Sequence, residues 1–216
     1  MSATLALLRK TVQADAAVRS GYWPQTSLGG QELSGRYVGI VGMGAIGRLA
    51  APLFTAFGCD VHYWSRNQHA DAPVPYANLE ELLERSDVVV VAIALTTDTI
   101  GLVHASRMAP GALLINAARV PVVNEASLVE AMREGRLSGA ALDVFSVEPL
   151  PATSPLRELA NVLLSPHMAG TTEQAVVRLT QQGATNLRRA ATGEPVADVV
   201  NNVDPLVRRR YHDASN

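Results

Sequence analysis

The stretch VGIVGMGAIGRLAAPL, residues 38–53, contains three glycines in the spacing G-x-G-x-x-G. Gly42, Gly44 and Gly47 follow an apolar run typical of a strand and open a run with helical spacing, which is the context that makes this motif informative. The first glycine permits a tight turn, the second lets the backbone approach a pyrophosphate, and the third lets the helix lie close on the sheet. The helix would present free N–H groups to the phosphates at Ala45, Ile46 and Gly47. The motif predicts a dinucleotide-binding loop, and a glycine-rich turn that binds nothing is the alternative.

Short β-branched runs alternate with helical patterns along most of the chain. Each short run is almost continuously apolar, as a parallel strand covered by helices on both faces requires. The pattern predicts strands at 37–41, 60–64, 88–93, 112–116, 139–142 and 162–164, and helices at 45–57, 79–84 and 125–134. This order specifies an α/β fold with a doubly wound parallel sheet, the Rossmann architecture, flanked by N- and C-terminal helices.

The flanking segments complete the predicted domain organisation. A helix is expected at 1–20, a Gly-, Ser- and Pro-rich connector at 21–35, and a long helix at about 172–191, capped by Thr171 or Thr172 and ended by Gly193. We predict one nucleotide-binding domain over 1–202 and a loose tail at 203–216. The three arginines of that tail suggest a solvated charge cluster more than a nucleic-acid arm.

The composition excludes several other classes of protein. With 48% hydrophobic residues among 216, the chain can bury a large core. Its 18 Lys and Arg against 20 Asp and Glu give no basic signal for nucleic acid or anionic membrane. The single cysteine, Cys59, excludes an internal disulfide framework, and no cysteine pair suggests zinc or another metal. No window is apolar enough to span a membrane, so the expected location is the cytoplasm.

The end of the second predicted strand bears on the choice of cofactor. NAD-preferring domains place an acid there, about 20 residues beyond the glycines, but this chain has Ser65 and Arg66. A hydroxyl and a guanidinium can bind a 2′-phosphate that an acid would repel. We therefore predict NADP as the preferred cofactor, with NAD also possible. The alternative is that Arg66 is an ordinary surface arginine and the site takes either cofactor.

Polar residues also follow the last three predicted strands. Arg119 follows the fourth, Asp143 and Glu148 the fifth, and His167 the sixth. Because ligands of an open parallel sheet bind beyond the carboxyl ends of its strands, these side chains can converge on one cleft. Singly, each has an ordinary structural explanation. Together, beside a dinucleotide loop, they indicate an active site.

Several longer stretches show a resemblance to a known family. They are ELSGRYVGIVGMGAIG, LTTDTIGLV, MAPGALLINAAR, LVEAMREGRLSGAALDVFSVEP and NVLLSPHMAGTT. The chain resembles the nucleotide-binding domain of the D-isomer-specific 2-hydroxyacid dehydrogenases, which include glyoxylate/hydroxypyruvate reductases, phosphoglycerate dehydrogenase, D-lactate dehydrogenase and formate dehydrogenase. The resemblance runs from the first helix to about residue 202. It implies an oxidoreductase that transfers hydride between NAD(P)H and a small 2-keto or 2-hydroxy acid.

The resemblance also implies roles for individual residues. Arg119 would bind the substrate carboxylate and polarise the carbonyl, Glu148 would pair with His167, and His167 would pass the proton. Asp143 would orient the nicotinamide ring. The implied cofactor contacts are Gly42, Gly44, Ala45, Ile46, Gly47, Ser65, Arg66, Ile93, Leu95, Ala117, Ala118, Arg119, Asp143, His167, Ala169 and Gly170.

Two departures from the family's pattern concern the loop that carries Arg119. The family usually has glycine where this chain has Val120 and Pro121, and aspartate is common where it has Asn124. A β-branched residue and a proline restrict backbone conformations that glycine permits. The expectation is that this loop has a different shape.

Family members carry a substrate domain ahead of the matched segment, and the active site is the cleft between the two domains. The resemblance therefore implies that this chain lacks that domain and begins at the crossing helix. One alternative is a cofactor-binding or dimerising module of the same ancestry with weak or no activity. Another alternative is a related two-domain dehydrogenase such as an amino-acid or phosphite enzyme, which is disfavoured for amino acids because the Arg, Glu and His pattern suits proton transfer to a hydroxyl. We also expect a homodimer formed through the N-terminal helix and the connector around Trp23.

Overall fold

The computed structural model describes residues 1–199. It divides the chain into two units, Met1–Ala169 and a second unit that begins at Gly170. The tail expected at 203–216 lies outside the described residues, as do the last positions of the domain expected over 1–202.

A parallel sheet of six strands forms the first unit. Its strands are β1 (Tyr37–Val41), β2 (Asp60–Trp64), β3 (Val88–Val91), β4 (Leu113–Asn116), β5 (Gly139–Leu142) and β6 (Val162–Leu164). They lie in the order β2-β1-β3-β4-β5-β6. The predicted α/β doubly wound fold is confirmed, although β3 ends two residues before its predicted limit and β4 begins one residue after it.

Both faces of this sheet are covered. The helices within residues 1–199 are α1 (Ser2–Leu8), α2 (Thr11–Arg19), α3 (Ala45–Ala56), α4 (Leu79–Arg85), α5 (Glu125–Arg133) and α6 (Glu173–Thr192). One core joins Leu8 of α1 and Phe54 of α3 to Ile40 and Ile115, and the other joins Leu82 of α4 and Leu128 of α5 to the opposite face of the strands. Because successive strand residues point to opposite faces and both faces are buried, the strands are apolar without alternation.

The N-terminal segment differs from its prediction. The helix expected at 1–20 is interrupted at Lys10, which has a φ of 50°, and so forms α1 and α2. The carbonyl of Leu8 accepts a hydrogen bond from Gln31 N–H at 2.8 Å, and a continuous helix would need that acceptor for its own next turn. The break separates a helix with buried residues from α2, which has none.

The second unit contains α6. Thr172 caps this helix by accepting a hydrogen bond from Ala175 N–H at 3.0 Å, and Gly193, with a φ of 74°, ends it. Both boundary residues were predicted from the sequence. Within residues 1–199, no helix combines the length and the apolar character that crossing a membrane requires.

The order of the strands determines where a ligand can enter. β1 pairs with β2 on one side and β3 on the other, so the chain reverses direction across the sheet between β1 and β3. Ligands of doubly wound sheets bind in the crevice at such a reversal, beyond the carboxyl ends of the strands. The glycine loop leaves β1 at this point.

Candidate functional site

The glycine loop is shaped by two close backbone approaches. Gly42 has a φ of 109°, and a Cβ placed on it would lie 2.6 Å from the carbonyl oxygen of Ala92, just beyond β3. A Cβ on Gly47 would overlap the carbonyl oxygen of Gly42. Larger residues at these two positions would push β1, α3 and β3 apart.

Gly44 lies in a different environment, because a Cβ placed there would meet no atom within 4 Å. Gly44 is the N-cap of α3, and no side chain caps the helix. The first N–H groups of a helix lack intrahelical partners and attract anions. Gly44 and the exposed Ala45 and Ile46 therefore leave an open cradle that fits the pyrophosphate of a dinucleotide.

The residues predicted to choose the cofactor, Ser65 and Arg66, have different environments. Ser65 is buried and its hydroxyl donates to the carbonyl of Asn67 at 2.6 Å. Arg66 is exposed, and its Nη1 lies 3.7 Å from a carboxylate oxygen of Asp98. Sequence reasoning did not identify Asp98, which comes from the quoted run LTTDTIGLV on the far side of the crevice.

The three predicted catalytic residues line one cleft of about 540 Å³. His167 Nδ1 lies 2.8 Å from Glu148 Oε2, and Glu148 Oε1 accepts a hydrogen bond from Phe145 N–H at 2.9 Å. The hydrogen bond with His167 holds the pKa of Glu148 below its ordinary value, and the hydrogen bond from Phe145 N–H makes the next largest contribution. The structure thus brings Arg119, Glu148 and His167 together and keeps Glu148 ionised beside the imidazole.

The turn that carries Arg119 is fixed by Asn116 at the end of β4. The buried Asn116 side chain accepts a hydrogen bond from Ala118 N–H at 3.1 Å and donates to the carbonyl of Arg119 at 3.4 Å. Arg119 is followed by a 3₁₀ turn, Val120–Val122, in which both valines are buried. Of the residues that depart from the family's pattern, Val120 anchors the loop in the core, whereas Pro121 is exposed. Asn124, the other departure, caps α5 by accepting from Ser127 N–H at 2.8 Å.

Asp143 has a structural function that the sequence did not reveal. Its buried carboxylate accepts hydrogen bonds from the Ser165 hydroxyl at 2.5 Å, Met168 N–H at 2.9 Å and Ala169 N–H at 2.8 Å. These residues flank His167, whose φ of 52° lies in the left-handed region. Burial opposes ionisation of Asp143, but the three hydrogen bonds outweigh it, so its pKa is lowered. Asp143 holds the turn that presents His167.

Replacing Asp143 by asparagine should destabilise the first unit by about 2–3 kcal/mol at pH 7, because an amide cannot accept all three hydrogen bonds. The lowered pKa makes this contribution complete above the ordinary pKa of 3.8 and removes it as the pH falls through the folded-state pKa. Urea unfolding at pH 7 and pH 3 would measure both effects. Equal stability of the two proteins at pH 7 would contradict this role.

The other expected cofactor contacts differ in their exposure. Ile93 is partly buried against the core, Leu95 is 40% exposed, and Ala118 is buried whereas Ala117 is exposed. Ala169 is exposed, and Gly170 is the first residue of the second unit. Ile93, Leu95 and Ala117 follow β3 and β4 at the carboxyl edge of the sheet, as a nicotinamide pocket requires.

Comparison with known proteins identifies the family. The family model of the D-isomer specific 2-hydroxyacid dehydrogenase, NAD binding domain, matches residues 1–169. This chain is 39% identical over 209 residues to a glyoxylate reductase of Thermofilum pendens, covering 91% of the chain and 62% of that protein. It is 39% identical over 204 residues to a D-3-phosphoglycerate dehydrogenase of Mycobacterium tuberculosis, covering 91% of the chain and 38% of that protein.

A solved structure agrees with these similarities. The TT0316 protein from Thermus thermophilus matches with a TM-score of 0.84 and 38% identity, over 90% of this chain and 64% of that one. The chain therefore spans less than two thirds of the length of each of these relatives. The matched segment coincides with the first unit, which holds the glycine loop and the Arg119 cleft. The chain belongs to the D-isomer-specific 2-hydroxyacid dehydrogenases, through the domain that binds their nicotinamide cofactor.

Proposed function

We propose that this chain carries the cofactor site and the proton-transfer residues of an NAD(P)-dependent dehydrogenase that interconverts a small 2-keto acid and its 2-hydroxy acid. The observation that carries the proposal is the contact of 2.8 Å between His167 and Glu148 in the cleft that Arg119 also lines. The names of the relatives, a glyoxylate reductase and a D-3-phosphoglycerate dehydrogenase, support this class of substrate.

The proposed roles of Arg119, Glu148 and His167 follow from the charge that develops on the substrate when a 2-keto acid is reduced. The carbonyl oxygen becomes negative, so a fixed guanidinium and a protonated imidazole stabilise it. Glu148 engages Nδ1 of His167, which leaves Nε2 to deliver the proton to that oxygen. Arg119, which donates from Nη1 to the carbonyl of Ala118 at 2.7 Å, has further guanidinium donors for the substrate carboxylate. When bound at the glycine loop, the nicotinamide cofactor supplies or accepts the hydride.

Assays of NADPH and NADH oxidation with glyoxylate, hydroxypyruvate and a bulkier 2-keto acid test the proposed reaction. Turnover that depends on His167 would support it. Cofactor binding without turnover would instead favour a cofactor-binding or dimerising module.

We further propose that NADP is preferred over NAD, and that Arg66 provides the preference. Half of its side chain is exposed, whereas the Ser65 hydroxyl is bonded to the protein's own backbone. Asp98 opposes this preference, because its carboxylate pairs with Arg66 and would repel a 2′-phosphate. Arg66 would release Asp98 when it binds the phosphate.

Replacing Asp98 by asparagine should therefore tighten NADPH binding roughly two- to fivefold and leave NADH binding unchanged. Arg66→Ala should weaken NADPH binding about tenfold or more, since a charge-assisted contact is lost. Fluorescence titration with NADPH and with NADH measures the dissociation constants of both variants and of the unaltered chain. Arg107→Ala, at a comparably exposed arginine, is the control. Tighter binding of NADH than NADPH to the unaltered chain would contradict the preference.

A homodimer is the assembly we propose. Tyr22 and Trp23 are 73% and 77% exposed, and Val12 and Val18 of α2 are about half exposed. Exposed apolar surface of this extent is typical of contact sites between proteins. Trp23 and Val18 also line a hollow of about 340 Å³ that a side chain of a second copy could enter.

A further inference from the structure

Glu125 joins the first turn of α5 to the segment that carries Glu148. Its Oε2 accepts a hydrogen bond from the Ser146 hydroxyl at 2.7 Å and a longer one from Ser146 N–H at 3.4 Å. Ser146 lies three residues after the buried Asp143 and two residues before the exposed Glu148. The contact therefore joins two parts of the chain that are 21 positions apart in sequence.

The two ends of this connection differ in how firmly they are held. α5 is capped by Asn124 and buries Leu128, Val129 and Met132 in the core. The segment from Phe145 to Glu148 is largely exposed, and Val147 is 59% exposed. A contact between a packed helix and an exposed segment restricts the segment, since the helix is anchored independently.

The position of this segment determines the geometry of Glu148. Glu148 Oε1 accepts from Phe145 N–H, the residue directly before Ser146, while Oε2 meets His167. A shift of the Phe145 and Ser146 backbone would therefore move the donor that orients the carboxylate. Glu125, Glu148 and His167 also line the same cleft.

We propose that Glu125 is a positioning residue, which acts through Ser146 to hold the segment before Glu148 and so aligns Glu148 with His167. The assignment rests on the proposed proton-transfer function of that pair. Within the described residues, the side chain of Glu125 hydrogen-bonds to Ser146 and not to His167 or the glycine loop. It acts by fixing the backbone that presents Glu148.

The pair of variants Glu125→Gln and Glu125→Ala separates positioning from charge. Both remove the negative charge near Glu148, but glutamine keeps an oxygen that can accept from Ser146, whereas alanine does not. NMR titration of ¹³C-labelled glutamate carboxylates measures the pKa of Glu148, which His167 and the Phe145 N–H lower and the nearby Asp143 charge raises. We expect a higher pKa for Glu148 in E125A than in E125Q, together with faster hydrogen exchange at the Phe145 amide.

Ser146→Ala is an independent test of the same contact, because it removes the hydroxyl that donates to Glu125 and keeps the Glu125 charge. It should raise the pKa of Glu148 above that of the unaltered chain, and in its background the E125A and E125Q values should converge. Glu130→Ala, at an exposed position of the same helix, is the control. Identical Glu148 titration in E125A and E125Q would overturn the proposal. The NMR titration of Glu148 uses neither substrate nor cofactor. A failure of the turnover assays would therefore count against the proposed reaction and would not change the outcome of this titration.

Discussion

Replacing Gly47 by alanine is expected to destabilise the first unit by about 3 kcal/mol or more. A Cβ at this position would overlap the backbone carbonyl oxygen of Gly42, which cannot turn aside as a flexible side chain can. α3 cannot retreat freely either, since its Ala51 and Phe54 are buried in the same core as Ile40 of β1. Urea unfolding followed by circular dichroism would measure the loss.

Gly44→Ala is the matched control in the same loop. Its φ of −80° and ψ of −162° suit any residue, and the added Cβ would meet nothing within 4 Å. Stability should change by less than about 0.5 kcal/mol, while cofactor binding falls because the methyl group occupies the space that a pyrophosphate would approach. A Gly47→Ala protein of unchanged stability, or a Gly44→Ala protein that binds NADPH normally, would refute this division of roles.

The sequence predicted the sheet well because its strands are buried on both faces. Val38 and Ile40 are buried in one core and Val41 in the other. Burial on both faces therefore requires a continuous apolar run, which is visible in the sequence. The break at Lys10 was not predictable in this way. It depends on the hydrogen bond from Gln31 to Leu8, which local helical propensity does not report.

The candidate site was also predictable only in part. The resemblance located Glu148 and His167, and the structure places them in contact. The environment of Asp143 depends on bonds to a turn more than 20 residues away, and that of Arg66 on Asp98 across the crevice. Such pairings arise from the folded chain, so residue types and spacing alone could not predict them.

Replacing His167 by asparagine is expected to lower turnover of a 2-keto acid about 10²- to 10⁴-fold, the usual contribution of a positioned acid. Asparagine is a better replacement than alanine here, because His167 has a φ of 52° and asparagine tolerates the left-handed region. The Asp143 bonds to Met168 and Ala169 are therefore retained, and only the proton donor is removed. Steady-state oxidation of NADPH measures the loss.

Cofactor binding distinguishes this chemical effect from structural damage. The glycine loop leaves β1, and the His167 turn follows β6, which lies four strands away in the order β2-β1-β3-β4-β5-β6. His167→Asn should therefore bind NADPH with nearly unchanged affinity in a fluorescence titration. His167→Ala should lose turnover equally and also lose stability, because alanine has no comparable tolerance for a positive φ. Glu148→Gln should show a smaller loss, since the imidazole remains but loses its ionised partner. Turnover by His167→Asn at the rate of the unaltered protein would show that the proton comes from another group.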